Sequence, residues 1–175
     1  MFLSTPIVSL SFAHIDVIEM NQHRKEQIMT AQENMAISRS LTELFNNRHT
    51  DPEWLDKTLA AFAEDSTFTN VPLGITLPGR DGYTQFVMFF AEAFPDSRVE
   101  ITNLFATEDQ VVLEYTGRGT NTGPLHLPMG DVPATGRQGE LRICDVTQAR
   151  DGKIISYHSY YDTMTLLRQL GLVPG

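Results

Sequence analysis

The sequence predicts an α+β fold. Helix-period segments occupy the first half of the chain and strand-period segments the second. The strands fall into two hairpins with short turns, so they pair as antiparallel neighbours rather than through helical crossovers. Together these imply a curled antiparallel sheet whose concave face is covered by helices, leaving a conical pocket between the layers.

From about Thr30, Met35, Leu41, Leu44 and Phe45 recur near helical spacing, and Asn46-Asn47-Arg48 marks a stop. Asp51-Pro52-Glu53 opens a second helix, with Asp51 as N-cap and Pro52 in the first turn. Trp54, Leu55, Leu59 and Phe62 form its apolar stripe. Residues 66–70 read as a short strand, and Val71-Pro72-Leu73-Gly74 and Leu77-Pro78-Gly79 as a loop. A third helix over 81–93 carries Phe86, Val87, Phe89 and Phe90 on several sides and is expected to be sandwiched. Strands follow over 99–105 and 110–120, joined at Glu108-Asp109, and over 139–149 and 153–161, joined at Asp151-Gly152. Residues 121–138, rich in Pro and Gly, read as a loop. Residues 162–170 return to helix, capped by Asp162 and stopped at Gly171. Residues 1–28 have weak periodicity and read as an N-terminal extension to a domain over 29–175.

Composition narrows the function classes. The chain has 175 residues, 41% hydrophobic and 20% charged, enough for one domain with a real core. A formal net charge of -9 and no long basic cluster argue against nucleic acid as partner. The single cysteine, Cys144, excludes an intramolecular disulfide and a cysteine-rich zinc site. The five histidines show no metal-ligand spacing. Gly117-Arg118-Gly119 leads into a Pro-rich loop instead of a helix, which removes the context of a dinucleotide fingerprint. No apolar run spans a membrane, and residues 1–13 lack the basic start of a signal peptide. These features fit a cytoplasmic protein without metal or cofactor, acting on a small hydrophobic molecule.

Asp145 is the residue most suggestive of chemistry. Side chains alternate along a strand, so Leu141, Ile143, Asp145 and Thr147 share one face. That face is the more apolar one. A carboxyl buried there is pushed toward neutral pKa, as a general acid/base requires. The competing reading is a buried Asp tied up by backbone donors or an arginine. Phe86 and Phe90 from the third helix, with Tyr115 and Tyr161 from the strands, are the candidate pocket lining. His158 is a second candidate for proton transfer. Alternation groups it with Ile154, Ser156 and Tyr160 against Ile155, Tyr157 and Tyr161, and neither face is clearly the inner one.

Several phrases carry a resemblance over about residues 30–174. They include Ala63-Glu64-Asp65, Pro72-Leu73-Gly74, Gly79-Arg80-Asp81-Gly82, Phe94-Pro95-Asp96, residues 117–123, Pro133-Ala134-Thr135-Gly136-Arg137, Asp151-Gly152-Lys153-Ile154 and Tyr160-Tyr161-Asp162. In this order they resemble the SnoaL-like polyketide cyclases of the NTF2-like superfamily. The resemblance implies a cone-shaped curved sheet and a cofactor-independent intramolecular aldol closure. It implies Asp145 as acid/base, with Asn121 at a position that often holds a histidine, there to bind a carbonyl. It also implies pairing into a homodimer or higher homo-oligomer. The alternatives are a non-catalytic binding or oligomerisation module, and isomerase or epoxide-hydrolase chemistry in the same pocket.

Overall fold

Thr30 starts the first helix by closing a capping box. Its hydroxyl accepts from Glu33 N at 3.2 Å while the Glu33 carboxylate accepts from Thr30 N at 2.8 Å. In this computed structural model, which describes residues 30–127 and 130–174, that helix is α1 (Ala31–Asn46). The expected extension over 1–28 lies outside the described residues. α1 is fastened to the sheet at both ends. The Asn34 amide donates to the carbonyls of Thr107 and Glu108 at 3.0 Å each, and Asn46 exchanges two bonds of 2.8 Å with the Val99 backbone. Just past the helix, Arg48 is buried and donates to the carbonyls of Phe45, Pro95 and Ser97. It also stacks over the Phe45 ring, 4.4 Å from its centroid.

α2 (Trp54–Leu59) begins two residues after its expected start. The Asp51 carboxylate accepts from Glu53 N and from Lys57 instead, which holds residues 51–53 as a turn. β1 (Phe62–Asn70) starts earlier than expected, because a bulge between Phe62 and Thr67 interrupts its alternation. A 3₁₀ turn over Val71–Leu73, ended by Gly74 at φ 64°, leads into β2 (Ile75–Pro78), an edge strand where the sequence suggested loop.

α3 (Gly79–Ala93) follows, then the hairpin of β3 (Arg98–Ala106) and β4 (Gln110–Thr120). The expected loop contains a small hairpin, β5 (Leu125–Leu127) and β6 (Gly130–Val132). β7 (Gln138–Arg150) and β8 (Lys153–Tyr161) meet at Asp151-Gly152, where both residues take positive φ. α4 (Thr163–Gln169) closes the described chain, capped by the Asp162 carboxylate on Thr165 N at 3.1 Å.

Among the described residues, six strands form one sheet in the order β2-β1-β8-β7-β4-β3. Every pairing is antiparallel except β1 with β8, so the sheet is mixed; it is not a closed barrel. The helices pack on one face. Two core clusters sit beneath them. One gathers Leu41, Phe45, Phe62, Phe68, Tyr83, Phe86 and Tyr157, and the other Phe94, Leu113, Tyr115, Leu141, Ile143 and Leu166. No described helix is long and apolar enough to cross a membrane.

Candidate active site

Along β7, Leu141, Ile143, Asp145 and Thr147 are buried under the helices while Glu140, Arg142 and Gln148 are exposed. Asp145 sits in the middle of the sheet, opposite Leu113 on β4 and Ser159 on β8. It is 1% exposed. The long central strands therefore deliver one carboxyl to the deepest part of the core, with apolar neighbours before and after it.

Three tyrosines and a serine surround this carboxyl. The Tyr157 hydroxyl donates a short hydrogen bond to Asp145 Oδ2. Tyr83 packs edge-on against Tyr157, with ring centroids 5.1 Å apart. Among the described residues, Asp145 Oδ1 and Ser159 Oγ are both buried with no hydrogen-bond partner. Burial pushes the Asp145 pKa up to about 6, and hydrogen bonding, the Tyr157 hydroxyl foremost, holds it from going higher. Burial and then the Asp145 charge push the Tyr83, Tyr115 and Tyr157 hydroxyls upward, so all three remain proton donors at neutral pH. At neutral pH the carboxyl is thus close to its own midpoint and ringed by neutral donors.

The carboxyl lies on the wall of a cavity of about 90 Å³. Leu41 and Phe45 of α1 and Tyr83, Phe86 and Phe90 of α3 form one side, and Leu113, Tyr115, Ile143 and Tyr157 of the sheet form the other. Asp145 is the one carboxylate among the described lining residues. Of the residues singled out in the sequence, Asp145, Tyr115, Phe86 and Phe90 meet at this cavity. Tyr161 lines a neighbouring space instead.

A family model for SnoaL-like polyketide cyclases matches residues 36–170. The chain belongs to the SnoaL-like polyketide cyclase family. Solved structures agree on the fold. A proposed SnoaL-like polyketide cyclase from Jannaschia sp. CCS1 superposes with a TM-score of 0.69 at 18% identity, covering 82% of this chain and 95% of that one. AclR, a proposed hydroxylase from Streptomyces galilaeus, gives 0.68 at 20%, covering 83% and 89%. IdmH, a proposed polyketide cyclase from Streptomyces antibioticus, gives 0.61 at 28%, covering 78% and 96%. No curated protein matches the chain in sequence. The architecture is the NTF2-like one.

Two expected site residues of this SnoaL-like chain lie elsewhere. Asn121 is fully buried, but away from the cavity. Its amide donates to the carbonyls of Ala93 and Gly123 at 3.0 and 2.9 Å, and its carbonyl accepts from Thr135 N and Oγ1 at 2.8 and 2.9 Å. Every hydrogen-bonding capacity of the side chain is thereby used in fastening the 121–137 loop to the end of α3, leaving none for a ligand. Gly123 completes the fastening, because a Cβ there would stand 1.9 Å from the Glu92 carbonyl. Asn121→Ala strands the Gly123 carbonyl and the Thr135 N–H and removes one of two donors to the Ala93 carbonyl, and is expected to lower stability by about 2–4 kcal/mol. Urea unfolding checks this, and ligand affinity is expected to stay unchanged in the folded fraction.

His158 points away from the cavity. It pairs across the sheet with Val146 and Thr69 and shares the outer face with Tyr160, whose ring centroid is 6.5 Å away. The inner face of β8 carries Tyr157, Ser159 and Tyr161 instead. A register shift between Gln148 and Ala149, opposite Ser156 and Ile154, explains the ambiguity. It turns Ile154 inward, against the parity of the rest of the strand.

Sequence reasoning omitted Tyr83, Tyr157 and Ser159 from the site. A signal existed for each. Tyr83 precedes Phe86 and Phe90 by three and seven residues, one helical face. Tyr157 and Ser159 share strand parity with Tyr161.

Proposed function

We propose that the protein is a cofactor-independent cyclase of the aldol type, acting on a hydrophobic carbonyl compound with Asp145 as general acid/base. One observation carries this reading: a solitary carboxyl, its pKa pushed up to about 6, on the wall of an apolar cavity among three tyrosine hydroxyls. The ionised form takes a proton from the carbon next to a carbonyl. The resulting enolate forms a carbon–carbon bond to a second carbonyl, and the protonated form returns the same proton to the new alkoxide. A group with its midpoint near working pH serves both steps. The neutral hydroxyls of Tyr83 and Tyr115 line the same cavity and are the donors available to a developing oxyanion, while the Tyr157 hydroxyl is engaged with Asp145; a well-aimed donor of this kind lowers such a barrier by about 3–4 kcal/mol.

The epoxide-opening alternative needs a second acid and an arginine beside Asp145. Arg118 is among the residues lining the cavity, but its guanidinium pairs with Glu100 and Glu140, and Asp145 is the one carboxylate among the described lining residues, which favours carbonyl chemistry.

Enolisation is testable without the natural substrate. A diketone in heavy water is expected to exchange its acidic C–H protons faster with the protein than without it, as followed by proton NMR. The rate should rise with pH to a plateau above about pH 6. Exchange no faster than in buffer, across diketones that bind, contradicts the reading.

A further inference from the structure

His126 stands between two carboxylates that belong to different elements. Its Nδ1 lies 2.9 Å from Asp131 Oδ1, directly across the β5–β6 hairpin. Its Nε2 lies 3.9 Å from Glu92 Oε2, on the last turn of α3. Between Asn121 and Gly136 the sequence holds no ionisable side chain besides His126 and Asp131. The neighbouring space beside the ring, about 400 Å³, is otherwise lined by apolar groups and by the uncharged Asn70, Gln85, Tyr161 and Thr163. Among the described residues, the charged groups that face the imidazole are therefore Asp131 and Glu92, both acidic.

Ring chemistry makes the two contacts unequal. A neutral imidazole has one N–H and one bare nitrogen, whereas the imidazolium has two N–H donors. Asp131 is the nearer carboxylate, and its hydrogen bond keeps the single proton of the neutral ring at Nδ1. Nε2 then turns a lone pair toward the Glu92 carboxylate. Only the imidazolium attracts both. The Asp131 contact stays within the hairpin, so the second proton controls the tie from hairpin to helix. The hydrogen bond to Asp131, then the charges of Asp131 and Glu92, raise the His126 pKa above 6.5. The folded state thus holds this proton more tightly than the unfolded one. The stabilisation is complete below about pH 6.5 and is lost as pH rises through the folded value.

The rest of the anchorage has no proton to lose. Gly123 N and the Asn121 amide both donate to the Ala93 carbonyl, at 3.2 and 3.0 Å, and Leu125 is fully buried in the core. These contacts hold the start of β5. Among the described residues, β5 and β6 pair with each other and not with the six-stranded sheet. A two-stranded ribbon is marginal by itself. Leu125, His126 and Leu127 form one wall of the neighbouring space.

We propose that the β5–β6 hairpin is a pH-sensitive strap along that space, fastened to α3 through His126 and Glu92 when the ring is protonated and released when it is neutral. The strap pivots at Leu125. The chain before it stays fixed to Ala93, while Leu127 and β6 swing outward and open this wall to solvent. The inference is independent of the chemistry assigned to Asp145.

Hydrogen exchange of the full chain, read by mass spectrometry, tests the strap. Rates are expressed as protection relative to the unstructured chain, so that the direct effect of pH on exchange cancels. In the wild type, protection of a peptide spanning 124–133 is expected to fall about three- to tenfold between about pH 6 and pH 8.5, a range suited to half-exposed ion pairs. Peptides from β4 and β7 are expected to hold their protection, since the contribution of Asp145 is level above about pH 6. His126→Gln and Glu92→Ala alter half-exposed side chains and are expected to fold. Both are expected to show the low protection already at about pH 6 and to vary by less than about twofold up to pH 8.5. Wild-type protection that does not change with pH overturns the proposal. A fall that persists in Glu92→Ala also overturns it, because the titration then acts within the hairpin alone. An equal fall in β4 and β7 does the same, because the whole fold is then loosening.

Discussion

Asp145→Asn makes the protein more stable at pH 7 and removes its activity. The folded carboxyl has its pKa near 6 against 3.8 for the free group, so between about pH 4 and pH 6 the folded state binds more protons than the unfolded one. Stability therefore falls as pH rises through that window and stays level above it. A shift of this size corresponds to about 3 kcal/mol lost by pH 7. The amide removes that loss, keeps the shape, and still offers Tyr157 an oxygen acceptor. The expected gain is about 2–3 kcal/mol at pH 7, shrinking toward zero at pH 4. Exchange and turnover are expected to fall by about 10²–10⁴-fold, the usual contribution of a general acid/base. Denaturant unfolding at several pH values and the diketone exchange assay check the two halves. A structural Asp, held ionised by its partners, gives the opposite stability change. A carboxyl that served packing alone leaves the exchange rate untouched.

Tyr157→Phe is the second large effect. The Tyr157 hydroxyl donates to Asp145 Oδ2 and favours the charged carboxyl. Without that donor the Asp145 pKa rises further above its free value. The acid limb of the pH–rate profile is expected to move upward by about one unit, since one charge-assisted hydrogen bond contributes about 1.5–3 kcal/mol. The rate at pH 6 then falls more than the rate at pH 8. Stability falls as well, by about 1–3 kcal/mol at pH 8 and less at pH 4, where the carboxyl is protonated and needs the donor less. A profile that drops uniformly without moving its midpoint contradicts this role, because it separates Tyr157 from the titration of Asp145.

Much of the fold was legible because local signals agreed with one another. The Asp151-Gly152 turn and the Asp162 cap each announce a boundary through local chemistry that needs no tertiary context. β2 and the β5–β6 hairpin were not legible. Ile75–Pro78 and Leu125–Leu127 are too short to display a period, and they become strands only by pairing with β1 and with β6.

The site divides the same way. The face of Asp145 followed from strand alternation along β7, which runs without a bulge until Gln148. The face of His158 did not follow, because the bulge opposite that point shifts the phase of β8. Asn121 was misjudged for another reason. Whether an amide serves a ligand or a loop depends on which carbonyls the fold brings near. Those of Ala93 and Gly123 arrive from the end of α3 and from the loop itself.

Carbon-13 NMR titration of the Asp145 side-chain carboxyl tests the central claim most directly. A midpoint close to pH 6 is expected, moving up in Tyr157→Phe and absent from the spectrum of Asp145→Asn. A midpoint at or below pH 4 would mean that the core holds this group permanently ionised, and the acid/base role would fall with it.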